Sequence, residues 1–190
     1  VKYGTKYPFI LISPQMKSNQ GTWSPSYIIQ VLNHVKKYLR VDDRRIYLTG
    51  LSLGGYGVWT TAGAYPDLFA AIAPICAGGN ALNKAQILAA KNVPTWGFHG
   101  GNDKVVSHTV TTKMINAMNS APKKPNPLAK ATIYPGMGHI IWDKAYQQTN
   151  LLDWMLSHRK GSAPPKDDSG DEEDQSSNKA PVVRAGSDRT

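Results

Sequence analysis

Gly50-Leu51-Ser52-Leu53-Gly54 sets a serine between glycines, directly after the apolar run Arg45-Ile46-Tyr47-Leu48-Thr49 and just ahead of the helical pattern Tyr56-Gly57-Val58-Trp59-Thr60-Thr61-Ala62. A serine on such a strand-to-helix turn is a nucleophile elbow. Its hydroxyl projects from the end of a strand, and the turn is so sharp that a Cβ on either flanking glycine is expected to collide with neighbouring backbone. The chemistry open to it is attack on a carbonyl carbon. The Leu53 amide, at the start of the helix, is aimed where negative charge would build on the attacked oxygen. A plain turn capped by Ser52 is the alternative the pentapeptide alone leaves open.

A serine nucleophile needs a base, and the base needs an acid, which follow a strand-borne serine in the order acid, then histidine. Val93-Pro94-Thr95-Trp96-Gly97-Phe98-His99-Gly100 reads as a buried strand whose Gly-rich turn presents Asp103. Ala131-Thr132-Ile133-Tyr134 reads as another, and Pro135-Gly136-Met137-Gly138 after it delivers His139. Loops beyond the carboxyl ends of an open parallel sheet gather on one edge, so the three residues can meet there. His139 would then take the Ser52 proton, while Asp103 holds the imidazole in the right tautomer and stabilises its cation. Blander readings stand beside these. Asp103 could cap a helix beginning near Val105, and His139 could be a structural loop histidine. His34, His108 and His158 fall in helical patterns. His99 precedes two glycines at a strand end and could orient the acid loop, but it comes before Asp103 and so breaks the expected order. Asp143, the rival acid, opens the last helix and reads as its cap.

The elements that must position these groups alternate. Candidate strands lie at 9–13, 45–49, 71–76, 95–99 and 131–134, and candidate helices at 25–39, 53–64, 84–90, 105–121 and 142–158. That alternation predicts an α/β domain, a mostly parallel sheet with helices on both faces. About 150 residues can bury some 70% of their unfolded surface, enough for one core. No repeat appears, and no apolar run exceeds strand length, so no membrane span is expected. Cys76, the single cysteine, sits in an apolar strand as a small hydrophobe and has no partner for an internal disulfide. His99, Asp103 and His108 could be drawn as a metal site, but no pair of sulfur or histidine ligands supports it. No phosphate loop or dinucleotide fingerprint follows any strand, so no cofactor is expected.

In four motifs the chain resembles the α/β-hydrolase family: Pro8-Phe9-Ile10-Leu11-Ile12-Ser13-Pro14-Gln15, the stretch from Val41 through Arg44-Arg45-Ile46-Tyr47 to Gly55, His99-Gly100-Gly101-Asn102-Asp103, and Gly136-Met137-Gly138-His139. More narrowly it resembles esterases grouped with dienelactone hydrolases, phospholipase/carboxylesterases and polyhydroxybutyrate depolymerases, over residues 7–159. With Tyr65-Pro66-Asp67-Leu68-Phe69-Ala70-Ala71 after the helix, it looks like secreted bacterial esterases of this group. The resemblance implies Ser52, Asp103 and His139 as a triad that cleaves carboxylic esters through an acyl-enzyme. The substrate would be a small, polysaccharide-linked or polymeric ester. A serine peptidase of the same fold is the nearest alternative. A catalytically silent domain serving carbohydrate binding or adhesion is the alternative of a different class. Gln15, Trp23, Tyr56 and Trp142, expected at the triad's edge, are candidates to line the acyl or alcohol pocket. Family members carry a further strand ahead of the one matched by residues 9–12, and its His-Gly loop supplies a second oxyanion donor. Nothing before Tyr7 matches it. The expectation is therefore a fragment without its first strands, ahead of the alternative of a natural minimal variant, that alone hydrolyses esters poorly or folds badly, since a lost donor lowers turnover about 10²–10³-fold.

Charge divides the chain. Residues 1–160 hold 18 lysines and arginines against six aspartates and no glutamate, a charge of +12, whereas residues 161–190 hold four against seven, a charge of −3. The lysines are scattered and no nucleic-acid motif accompanies them, so solvated surface rather than a nucleic-acid partner is expected. Residues 161–179, where acids alternate with serine and glycine, read as a disordered linker after a 1–160 catalytic domain. Residues 180–190 resemble the opening strand of a polycystic-kidney-disease or related immunoglobulin-like module. That resemblance implies a multidomain, secreted or cell-surface bacterial protein.

Overall fold

Ala71-Ile72-Ala73-Pro74-Ile75 is apolar at every position, and a strand of that kind is stable only between two neighbours with both faces covered. The computed structural model, which describes residues 8–16, 21–79, 81–147 and 149–162, places it so. Four strands, β1 (Tyr47–Leu51), β2 (Ala71–Ile75), β3 (Trp96–Gly100) and β4 (Lys130–Tyr134), form one sheet in sequence order, and every pair is parallel. All five residues of β2 are buried. The β1–β2 ladder is continuous from Tyr47↔Ala71 to Leu51↔Ile75. The β2–β3 ladder is interrupted: Ile72 N–H donates to Pro94 O at 2.9 Å and Cys76 N–H to Phe98 O at 2.8 Å. Pro74, midway between those donors, has no N–H to give.

Parallel neighbours require crossovers. α2 (Leu53–Ala64), α3 (Leu82–Ala90) and α4 (Thr109–Asn119) supply them, and α1 (Pro25–Tyr38) precedes β1. Alternate strand residues divide the core between the two sheet faces. Ile46 and Ile72 pack with Val58, Trp59 and Ala62 of α2, Leu88 of α3 and Met114 and Met118 of α4, while Ile29 and Leu32 of α1 lean on the same cluster. Ala73, Ile75 and Phe98 face the other way, onto Ala145 of α5 (Trp142–Gln147) and Leu151 and Met155 of α6 (Leu151–Ser157). Helices therefore cover both faces, as the alternating pattern predicts.

Three expectations are corrected. Residues 9–13 form no strand, and Ile10, Leu11 and Ile12 are exposed; apolar, β-prone composition makes a strand only where a neighbour supplies a ladder. The helix expected from Val105 begins at Thr109, because the Asp103 carboxylate takes the Val105 and Val106 amides at 2.8 and 2.9 Å and holds them in a turn. The single last helix expected over 142–158 is two. Thr149 Oγ1 donates to Ala145 O and accepts Leu151 N–H at 3.3 Å, so one side chain ends α5 and starts α6. The unit that carries the sheet begins at Met16, and residues up to Gln15 belong to another. The described residues end at Ser162, so nearly all of the expected linker and the whole 180–190 segment lie outside them. Among the described residues no helix is long and apolar enough to cross a membrane.

Candidate active site

Ser52 follows β1 directly and is the N-cap residue of α2, with φ 52° and ψ −116°. A non-glycine residue at positive φ is strained and persists only where its surroundings hold it. Two backbone bonds do so: Ser52 N–H donates to Ile75 O at 2.8 Å, and Ser52 O accepts Tyr56 N–H at 3.0 Å. Gly50 is required by close approach, since a Cβ there would stand 2.7 Å from the Gly54 carbonyl carbon. Gly54 is not. Beyond its own helix, a Cβ at that position would meet only Trp23 Nε1 at 3.9 Å, and the tight contact falls one residue later, where a Cβ on Gly55 would stand 2.7 Å from Ile75 O. The glycine after the serine that packing demands is thus the second.

The acid and histidine loops are docked to each other by backbone. Gly101 N–H donates to Tyr134 O and Asn102 N–H to Met137 O, both at 2.9 Å. Gly100 lies so close beneath the histidine loop that a Cβ would be 2.0 Å from Gly138 O and 2.5 Å from Met137 O. The result is one hydrogen-bonded chain. Asp103 Oδ2 accepts from His139 Nδ1 at 2.6 Å, and His139 Nε2 stands 2.9 Å from Ser52 Oγ. With Nδ1 donating to the carboxylate, Nε2 is the lone-pair nitrogen and the serine hydroxyl is its donor. Burial pushes the Asp103 carboxyl up, but the donors from His139, Val106 and Val105 outweigh it. The group is held below the usual carboxylate range. It is an ionised acid with no side-chain exposure, and it both caps the turn and faces His139. Asp103 caps no helix, since α4 starts at Thr109 with His108 as its N-cap residue; one of its oxygens holds the turn and the other faces His139.

Cys76 closes the back of the group. It follows β2 directly at φ 45°, and its thiol donates to His139 O at 3.2 Å. Burial pushes the thiol up to about 11, with the nearby Asp103 charge adding to the rise. The residue expected as a plain hydrophobe also holds the histidine loop. Cys76, Asp103 and His139 each bring one potential metal-ligand atom within 4.8 Å of the others, but all three are engaged in the hydrogen bonds just given.

Of the expected pocket residues, Tyr56 lines a cavity of about 350 Å³ together with Ser52, Leu53, Gly78, Gly79 and Val106. Trp142 sets its ring edge to face on His139, 6.3 Å between centroids at 89°. Trp23 packs against α2, where a Cβ on Gly57 would meet it at 2.8 Å, and stacks with Tyr27. Gln15 is exposed and falls in the other unit. Sequence reasoning missed Gly78, Gly79 and Val106. The shared signal was available: Gly78 and Gly79 follow β2 and Val106 follows β3, on the sheet edge that holds Ser52, Asp103 and His139. Asp143, the rival acid, is exposed in the first turn of α5 and accepts from Gln147 Nε2 at 3.2 Å. His34 is exposed against Tyr38, and His158 is buried beside Trp154.

The profile of the prolyl oligopeptidase family matches residues 13–83, which include Ser52 but stop short of Asp103 and His139. Two relatives are esterases or depolymerases by name. A bifunctional acetylxylan esterase/xylanase of Neocallimastix patriciarum is 28% identical over 106 residues, 53% of this chain and 15% of that protein. Poly(3-hydroxyalkanoate) depolymerase C of Paucimonas lemoignei is 30% identical over 91 residues, 40% of this chain and 22% of its own. Among solved structures, a thermostable esterase superposes with a TM-score of 0.64 at 28% identity, over 71% of this chain and 36% of that one. The chain thus has the α/β-hydrolase fold, is similar to esterases of that fold, and spans less than a quarter of the length of the two curated relatives it matches here.

Proposed function

We propose that the chain is the catalytic part of a serine hydrolase that cleaves carboxylic esters through an acyl-enzyme. The observation that carries this reading is the Asp103–His139–Ser52 hydrogen-bonded chain, ending on a strained serine at a strand-to-helix turn. In the first half-reaction the Ser52 hydroxyl oxygen bonds to the ester carbonyl carbon while His139 Nε2 takes its proton. His139 then returns that proton to the leaving alkoxide as the ester C–O bond breaks. Water repeats the sequence on the acyl-serine. Asp103 keeps Nδ1 protonated and offsets the imidazolium charge. The Leu53 amide, the first of the four N-terminal amides of α2 without an intrahelical acceptor, donates to the oxyanion.

The surroundings suit an uncharged substrate. The cavity beside Ser52 is walled by Leu53, Tyr56 and Val106. Beside the triad members, Leu53, Val105 and Ile140 are 41%, 73% and 69% exposed. An acyl or alcohol group with apolar surface fits there. The names of the two relatives point to polysaccharide-linked or polyester substrates, and such substrates go with a secreted or cell-surface enzyme. A fluorophosphonate probe is expected to label the wild-type protein stoichiometrically and to leave Ser52→Ala unlabelled. Absence of labelling in both would favour the silent binding or adhesion domain.

The prolyl oligopeptidase match favours a second reading, hydrolysis of peptide bonds by the same residues. Parallel assays on p-nitrophenyl acetate or butyrate and on peptidyl p-nitroanilides separate the two.

A further inference from the structure

One buried imidazole beside the triad takes no part in the chemistry just described. His99, in β3, is fully buried. Its Nε2 lies 3.0 Å from Val106 O and 3.1 Å from Asp103 Oδ2, and its Nδ1 lies 2.8 Å from Thr111 Oγ1 in α4. Both neighbours of Nε2 are acceptors, so Nε2 carries the proton, and Nδ1 accepts from the Thr111 hydroxyl. Burial lowers the proton affinity of the ring, which keeps it neutral. Asp103 Oδ2 therefore has two ring nitrogens close to it, His139 Nδ1 donating on the active-site side and, from within the fold, His99 Nε2, whose one N–H lies between Val106 O and the carboxylate.

We propose that His99 is a positioning residue. It ties β3, the acid turn and α4 together and sets an N–H shared between Val106 O and Asp103 Oδ2 against the carboxylate, so that the carboxylate neither rotates nor draws the Nδ1 proton away. The proposal rests on Asp103 and His139 acting as the triad. The titratable groups facing this cluster are His139 from the β4–α5 loop, the Cys76 thiol at the end of β2 and His108 at the start of α4. None of the three can replace the lost donor: His139 already binds the carboxylate, the thiol is spent on His139 O, and no hydrogen bond joins His108 to Asp103 among the described residues.

The test compares wild type, His99→Leu, His99→Gln and Thr111→Val. Glutamine can return an N–H donor near the Nε2 position and leucine cannot. In His99→Leu, kcat for p-nitrophenyl acetate is expected to fall by up to about 10²-fold, the cost of a small misplacement of a catalytic group, with KM little changed. The acid side of its pH–kcat/KM profile should move to higher pH, because a carboxylate with one fewer donor holds the His139 imidazolium more strongly. His99→Gln should recover most of both. Thr111→Val, which removes the hydroxyl that fixes the tautomer, should move both in the leucine direction by less, and it serves as the readout if His99→Leu fails to fold. The second readout needs no turnover: the downfield proton resonance of His139 Nδ1–H on Asp103 should shift or broaden in His99→Leu and return in His99→Gln. If wild type is active, and folded His99→Leu keeps the wild-type kcat, pH profile and resonance, the positioning role is overturned alone. Equal impairment of the leucine and glutamine variants with an unmoved profile also overturns it, leaving a packing role. If wild type hydrolyses no ester yet the resonance follows residue 99, the hydrolase reading fails and the positioning role stands.

Discussion

At the scale of single residues, the protein holds charge in a buried place by surrounding it with donors. Asp103 has no side-chain exposure, yet its oxygens are met by the amides of Val105 and Val106 and by His139 and His99. Removing the charge while keeping the shape is therefore informative. Asp103→Asn is expected to fold and to lower kcat on esters by about 10⁴-fold, since an amide nitrogen facing Nδ1 favours the wrong tautomer. Steady-state kinetics beside a thermal melt would check both halves. The serine, the acid and the histidine were legible from glycine spacing and strand-end placement. For His99 the sequence offered only a role orienting the acid loop, and chain order spoke against it as the partner of Ser52; its approach to the same carboxylate is a tertiary contact. The helix-cap role open for Asp103 in the sequence does not survive, because the carboxylate holds Val105 and Val106 in a turn and the helix starts only at Thr109.

At the scale of elements, what matters is how near two loops can come. Gly100 lets the β3–α4 turn lie directly under the β4–α5 loop, and the 2.6 Å Asp103–His139 bond depends on that approach. Gly100→Ala would drive a Cβ into backbone oxygens that have no side chain to move aside. It is expected to lower the melting temperature and to cut kcat by about 10²-fold or more through displacement of the acid from the histidine. Gly138→Ala, with open space around the added Cβ, is the control and should leave both nearly unchanged. Element boundaries were the least legible part of the fold. The late start of α4 and the break between α5 and α6 are each set by one side chain, Asp103 and Thr149, that competes with the helix for backbone groups. The Pro74 gap in the central ladder belongs to the same class: proline counts against a central strand, yet burial on both faces holds β2 there.

At the scale of the whole molecule, two buried histidines make stability depend on pH. Burial depresses the proton affinity of His99 and of His158, in the latter with Lys130 adding to the effect. Both are neutral in the fold and take up protons more readily when unfolded. Their contribution is therefore complete above about pH 6.5, the ordinary histidine value, and is lost as pH falls below it through their lowered folded values. Asp103 is depressed from the ordinary carboxyl range, so its share is complete above about pH 4 and is lost only in stronger acid. Melting temperature at fixed ionic strength is thus expected to hold from pH 8 to 7 and to decline from about 6.5 downward. His158→Phe should flatten part of that decline, since His158 Nε2 has no partner among the described residues. A melting temperature constant between pH 7 and 5 would count against this account. By itself the sequence determined the α/β alternation, the elbow serine and the two strand-end loops that carry its partners, because periodicity, glycine and turn residues act over a few positions. Only the tertiary structure decided that those loops meet, that Val106, Gly78 and Gly79 wall the cavity, and that His99 and Cys76 come up against Asp103 and the His139 backbone. Each of these is a contact across tens of residues, whose energy depends on packing in three dimensions and leaves no local periodicity behind.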